Sequence, residues 1–255
     1  MTTADLDRTR AFAQATGADA ARAPATSVPA AGTGGHASTF AGRPPARVDV
    51  LCTDPQQGVN AWLERWALGA APRARIQVHR DHRTLAGGDF LFLVSCHQII
   101  RATTRERYRH TLVLHASALP QGRGMSPQVW QILEGQGGFT VSLLEAHDEL
   151  DCGRIWQQRE VDVPFTDLCD EINARLFDAE IELMDWALAN CDKAQPHPQE
   201  GTPSYYRRRT PDDSRVDPEL PIVDQFDLLR VADPNRYPAF FDHRGQRYRI
   251  RIDKL

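Results

Sequence analysis

Two hydrophobic periods alternate along the chain from about position 46 onward. Val48-Asp49-Val50-Leu51-Cys52 is a short β-rich run, and Gly58 to Leu68 follows with Val59, Trp62, Leu63 and Trp66 at helical spacing. Arg75-Ile76-Gln77-Val78 predicts a second strand. Phe90-Leu91-Phe92-Leu93-Val94 is a continuous apolar run, as expected of a strand covered on both faces, and Thr111-Leu112-Val113-Leu114 repeats that signature. Strands alternating with helices predict an α/β layer built on a largely parallel sheet.

Further along, Ser126-Pro127 predicts a helix start, with Ser as N-cap and Pro at the first helical position. That helix carries Trp130, Ile132 and Leu133 and stops at Gly135, a C′ glycine. Phe139 to Leu144 predicts another strand. A longer helix is expected over about Asp167 to Cys191, with Leu168, Ile172, Leu176, Leu183 and Ala187 on one face and Asp167 and Asp170 in its first turn. Gln195-Pro196-His197-Pro198 reads as a linker. Beyond it lie Ile222 to Val231 and the alternating run Arg247-Tyr248-Arg249-Ile250-Arg251-Ile252, a half-exposed strand.

Composition divides the chain. Residues 1–45 are rich in Ala, Thr, Gly, Pro and Arg with few large apolar groups, so they are expected to form a disordered tail. Residues 46–194 are expected to form the main domain and 195–255 a carboxy-terminal extension. With 30 basic and 34 acidic side chains the formal net charge is −4, which counts against a nucleic-acid partner. No apolar run is long enough to span a bilayer, and the first residues lack a signal-peptide core. Cys52, Cys96, Cys152, Cys169 and Cys191 are widely spread without a Cys-x-x-Cys pair, an argument against a thiolate metal site or a disulfide framework. A cytoplasmic protein with no membrane association and no bound metal is the expectation.

Candidate chemistry gathers between positions 110 and 155. His115 directly follows an apolar strand, and ligands of open α/β sheets bind beyond the carboxyl ends of strands. Ser117-Ala118-Leu119-Pro120-Gln121-Gly122-Arg123-Gly124 is a sharply turning loop whose backbone amides can face a ligand. It has the spacing of neither a P-loop nor a dinucleotide fingerprint. Asp151-Cys152-Gly153 follows the next strand, and a carboxylate near a histidine supplies the parts for proton transfer.

The combined spacing is far more specific than its parts. Leu114-His115-Ala116-Ser117-Ala118-Leu119-Pro120-x-x-Arg123-Gly124-x-x-Pro127-x-x-Trp130-x-Ile132-x-x-Gly135, followed by Asp151-x-Gly153, resembles the folate-dependent formyltransferase family. The tail, with Tyr206-Arg207-Arg208-Arg209-Thr210-Pro211-Asp212-Asp213 and Tyr237-Pro238-Ala239-Phe240-Phe241, is similar to the sugar N-formyltransferases that modify nucleotide-linked amino sugars of bacterial surface glycans, of the perosamine or nonulosonic-acid type. The resemblance implies a Rossmann-type, mostly parallel sheet with a small β-containing appendage, and formyl transfer from 10-formyltetrahydrofolate to a sugar amine.

It further implies that His115 donates to the formyl oxygen and that Asp151 orients His115 and accepts the amine proton. The family's Asn, a second oxyanion donor, falls at Val113, which has no hydrogen-bonding group. His97 is the first candidate substitute, with Gln98 and Ser117 as others. Cys96, Gln98 and Ile99 are expected against the pterin, and Ser117, Leu119, Pro120, Arg123 and Gly124 in the loop over the formyl site. Tyr206, Arg207 and Arg208 are expected to face the nucleotide phosphates. Transfer to methionyl-tRNA, hydrolysis of formyltetrahydrofolate and a catalytically silent binding protein are the rival readings, and a homodimer stays open.

Overall fold

The computed structural model describes residues 44–71 and 73–255; the tail expected over residues 1–45 lies almost wholly outside the described residues. The first strand, β1 (Ala46–Leu51), leads into helix α1 (Val59–Ala70), strand β2 (Ala74–His79) and strand β3 (Gly88–Leu93). A short helix α2 (Ala102–Arg105) precedes β4 (Tyr108–His115). Next come a two-residue strand β5 (Arg123–Gly124), helix α3 (Pro127–Leu133) and strands β6 (Gly138–Glu145) and β7 (Ile155–Asp162). The long helix α4 (Cys169–Asn190), strand β8 (Tyr205–Tyr206), helix α5 (Phe226–Arg230) and the hairpin β9 (Ala239–His243) and β10 (Gln246–Ile250) complete the chain.

Six strands form the central sheet in the order β2-β1-β3-β4-β6-β7. The pairings β1 with β2, β1 with β3 and β3 with β4 are parallel, so the loops after β1, β3 and β4 gather at one end. β6 and β7 run antiparallel and extend the sheet on the β4 side. The carboxy-terminal hairpin is a separate small sheet. No helix among the described residues is long and apolar enough to cross a membrane.

The apolar runs explain the layering. In β3, Phe90 and Phe92 point into the main core while Leu91 and Leu93 fill a second cluster on the opposite face. The main core is closed by Val59, Leu63 and Trp66 of α1 and by Ile172, Leu176, Leu183 and Ala187 of α4. The opposite face holds Leu51, Leu85, Ile100 and Tyr108, and a smaller cluster of Leu119, Leu144 and Ile155 against Val113.

Four local expectations change. Ser126 does precede α3, but it sits in the left-handed region (φ 52°) and its side chain caps nothing. A capping side chain needs extended backbone to reach the next turn. Asp167 lies before α4, where it is buried and ion-paired with Arg175 (2.6 Å), while the Leu168 N–H donates to Glu171 in the first turn. The polar strand β7 carries too few apolar groups to have been marked as a strand. Finally, the Gln195–Pro198 stretch, read as a linker, is bonded to the sheet: His197 exchanges backbone hydrogen bonds with Ile155 at 2.8 and 2.9 Å, adding a bridge to the edge of β7.

Candidate active site

Parallel pairing brings the loop after β3 and the loop after β4 to the same end of the sheet. His115 is the last residue of β4, opposite Ser142 of β6. Its Nδ1 lies 3.7 Å from Asp151 Oδ1, and the two side chains are only 8% and 6% exposed. The other ring nitrogen, Nε2, is 2.9 Å from the Gly122 carbonyl oxygen, to which it donates. One backbone acceptor and one carboxylate thus flank the ring.

Asp151 is placed by the turn around it. Its backbone is left-handed (φ 54°), and its Oδ2 accepts the Gly124 N–H at 2.9 Å. Two residues on, Gly153 passes so close to β6 that an added Cβ would overlap the Glu145 carbonyl oxygen. This contact is the physical reason for the Asp-x-Gly spacing: any side chain there would push the carboxylate away from His115.

The loop at 117–124 is stitched to the carboxy-terminal segment. Arg123-Gly124 pairs in parallel with Tyr205-Tyr206, and Gly124 (φ 103°) has no room for a Cβ against the Tyr206 carbonyl. Arg123 donates to Gln199 Oε1 (2.6 Å) and to the Tyr205 hydroxyl (3.2 Å). Gln199 in turn donates to the carbonyls of Asp151 (2.7 Å) and Gly153 (2.9 Å). Gln199 therefore clamps the carboxylate turn to the loop. Its sequence neighbourhood, between a proline-rich stretch and polar residues, carries no signal of that role.

The remaining predicted residues divide. Leu119 is buried in the small apolar cluster, and the Pro120 carbonyl accepts from Ser204 N. Ser117 is 1% exposed, its carbonyl accepts from Ser142, and its own hydroxyl has no partner. After β3, Cys96 Sγ faces the Gln98 carbonyl, and Ile99 stands 84% exposed. His97 is held on the β1 side, where its N–H donates to Thr53 Oγ1 (3.0 Å). The Gln98 Oε1 accepts from the backbone and ring of His82, both at 2.9 Å, which leaves its amide hydrogens as donors. Neither His97 nor Gln98 is bonded to His115. Val113 packs in the apolar cluster beside Leu119, Leu144 and Ile155.

The three arginines after Tyr206 do different things. Arg207 lies over the Trp130 ring (4.7 Å) and is neutralised by Asp213, whose carboxyl it holds well below the usual carboxylate range. Arg208 is exposed. Arg209 turns inward to the Asp213 carbonyl and Ser214 hydroxyl, and burial pushes its guanidinium pKa down. Tyr206 stacks on Trp130 and donates to Glu134 Oε2 at 2.7 Å; burial first, then that bond, pushes its phenol up.

Residues 64–188 match the sequence profile of the formyl transferase family. The methionyl-tRNA formyltransferase of Gluconobacter oxydans is 33% identical over 106 residues, 42% of this chain and 34% of that protein. The match thus spans about a third of the relative's length. Among solved structures, HypX from Aquifex aeolicus in complex with tetrahydrofolic acid aligns with a TM-score of 0.68 at 20% identity, over 79% of this chain and 36% of that one. A 4-N formyltransferase from Francisella tularensis aligns with a TM-score of 0.65 at 16% identity, over 82% and 99% of the two chains. The architecture is the α/β formyltransferase fold with small additional carboxy-terminal strands. The matched region includes His115, Asp151 and all but the last two residues of α4; the loop partners Gln199, Tyr205 and Tyr206 lie beyond it.

Proposed function

We propose that this chain is an N-formyltransferase that moves the formyl group of 10-formyltetrahydrofolate onto the amine of a nucleotide-linked amino sugar, in surface-glycan biosynthesis. One observation carries the reading: buried His115 and Asp151 face each other across 3.7 Å inside the stretch that matches the formyl transferase family. Formyl-tetrahydrofolate is that family's formyl donor, and the exposed Ile99 beside Cys96 and Gln98 suits one face of a flat pterin ring.

The residues divide the chemistry as follows. The amine nitrogen bonds to the formyl carbon, the bond from that carbon to the folate nitrogen breaks, and the proton lost by the amine ends on the folate nitrogen. Asp151 takes that proton first and holds His115 toward the reacting carbon. His115 donates to the oxygen that becomes negative. Because Nε2 is engaged by the Gly122 carbonyl, this donation requires Gly122 to release the ring when substrate enters. The Gln98 amide or His97 supplies the second donor that Val113 lacks.

The sugar acceptor is favoured by the chain's acidic balance and by the aromatic and carboxylate groups beside the loop. A second reading, transfer to methionyl-tRNA, has the Gluconobacter relative in its favour. The deciding assay follows tetrahydrofolate release from 10-formyltetrahydrofolate, with nucleotide-linked amino sugars and methionyl-tRNA offered separately. Release with the amino sugars alone supports the proposal; release with methionyl-tRNA alone overturns it.

A further inference from the structure

Beside the 117–122 loop lies a cavity of about 480 Å³. One wall is the loop itself, with Ser117, Gln121 and Gly122; the others are α3 and the outer ends of β6 and β7. Thr140 of β6 and Glu160 and Asp162 of β7 belong to the face of the sheet that also carries Ser142 and His115. Tyr206 closes the cavity with its ring, held flat by Trp130 and by its bond to Glu134.

The lining selects a class of ligand. It holds hydroxyls, side-chain amides, three carboxylates (Glu134, Glu160 and Asp162) and aromatic surface, and no lysine, arginine or histidine. Without a cation it is a poor place for a phosphate or for the carboxylates of a folate tail. Carboxylates and amides that accept and donate to hydroxyls, beside an aromatic face, suit a polyhydroxylated ring. Ser117 lines the cavity as a residue only 1% exposed, and its buried hydroxyl lacks a hydrogen-bond partner.

The cavity also touches the catalytic pair through one residue. Gly122 lines it, accepts from His115 Nε2, and donates its own N–H to the Ser204 hydroxyl on the same wall. We infer that this cavity holds the hydroxyl-bearing ring of the acceptor sugar, with Ser117, Thr140, Glu160 and Asp162 as its specificity determinants. The inference rests on the formyl-transfer reading given above.

The test pairs kinetics with direct binding on the full chain. Thr140→Val and Glu160→Gln, singly and together, should raise KM for the nucleotide-linked amino sugar by about tenfold, the loss of one good hydrogen bond to a charged group. KM for 10-formyltetrahydrofolate should move by less than about twofold, and the thermal midpoint should stay in place, because neither side chain is in the core. An unchanged acceptor KM in the folded double variant overturns the assignment. Saturation-transfer NMR with a free 4-amino-4,6-dideoxyhexose provides a readout that needs no turnover. Ring-proton contacts seen in the native chain and lost in the double variant support the cavity even if no formyl transfer is detected. Equal contacts in both, or none in either, overturn it. Formyl transfer to no amine at all, with the NMR contacts intact, would sink the enzyme reading and spare the site.

Discussion

At the residue scale the site is a histidine whose Nε2 is bonded to the Gly122 carbonyl while its Nδ1 faces Asp151 across 3.7 Å. His115→Ala should abolish formyl transfer while leaving folate binding within about twofold, since oxyanion stabilisation acts chiefly in the transition state. Equilibrium titration with tetrahydrofolate beside the turnover assay checks both halves. If Gln98 or His97 supplies the second donor, its replacement by Ala should lower kcat by roughly 10²–10³. Restoring the family's amide with Val113→Asn is expected to destabilise by about 1–3 kcal/mol, because the position packs among Leu119, Leu144 and Ile155 and offers an amide no partner. Chemical denaturation measures the first effect, and turnover shows whether the new amide helps: a gain of about tenfold or more would falsify the idea of a substitute donor.

At the element scale, two-residue strands carry more than their length suggests. The β5–β8 pairing fixes the loop against Tyr206, and Gln199 fastens the Asp151 turn to that loop from the other side. Gln199→Ala should leave the central sheet untouched. It should lower kcat more than KM, because it frees the carboxylate turn from Arg123 without removing a binding group. A proportional rise in KM with unchanged kcat would instead make Gln199 a binding residue. Gly124→Ala is expected to be harsher: an added methyl collides with the Tyr206 carbonyl at a positive φ, so the thermal midpoint should fall by several degrees along with turnover.

At the scale of the molecule, the carboxy-terminal segment is tied to the main sheet's loops through two arginines. Arg236 reaches Gln57 and Asp54 after β1, and the buried Arg230 donates to the carbonyls of Pro164 and Asp167. One acidic group in the core works against stability as pH rises. Glu180, inside α4, is wholly buried with Oε2 unpartnered, and burial pushes its pKa up to about 8 from 4.5. The folded chain keeps that proton where the unfolded chain has lost it, so folding stability falls as pH rises from about 4.5 to about 8. Glu180→Gln should flatten this slope, with a thermal midpoint above that of the native chain at pH 8 and little difference at pH 5. Equal gains at both values would assign the effect to packing rather than to the proton.

The hydrophobic pattern predicted an α/β layer on a largely parallel sheet, since a strand covered on both faces, such as β3, needs a run of apolar groups, and α1 and α4 need one apolar stripe. His115 and Asp151 stood out in the sequence because one ends an apolar strand and the other lies in the turn between β6 and β7, and each is followed by residues, the 117–124 loop and Gly153, whose geometry demands that spacing. Strand β7 was not, because an edge strand with polar outward groups lacks the alternation that marks a core strand. Nor were Ser204, Tyr206 and Gln199 as partners of the loop, which lies some eighty residues away. Local propensity acts over a few neighbouring positions, whereas the contacts that hold the loop, close the cavity and occupy the histidine ring join segments that meet only after the sheet has formed.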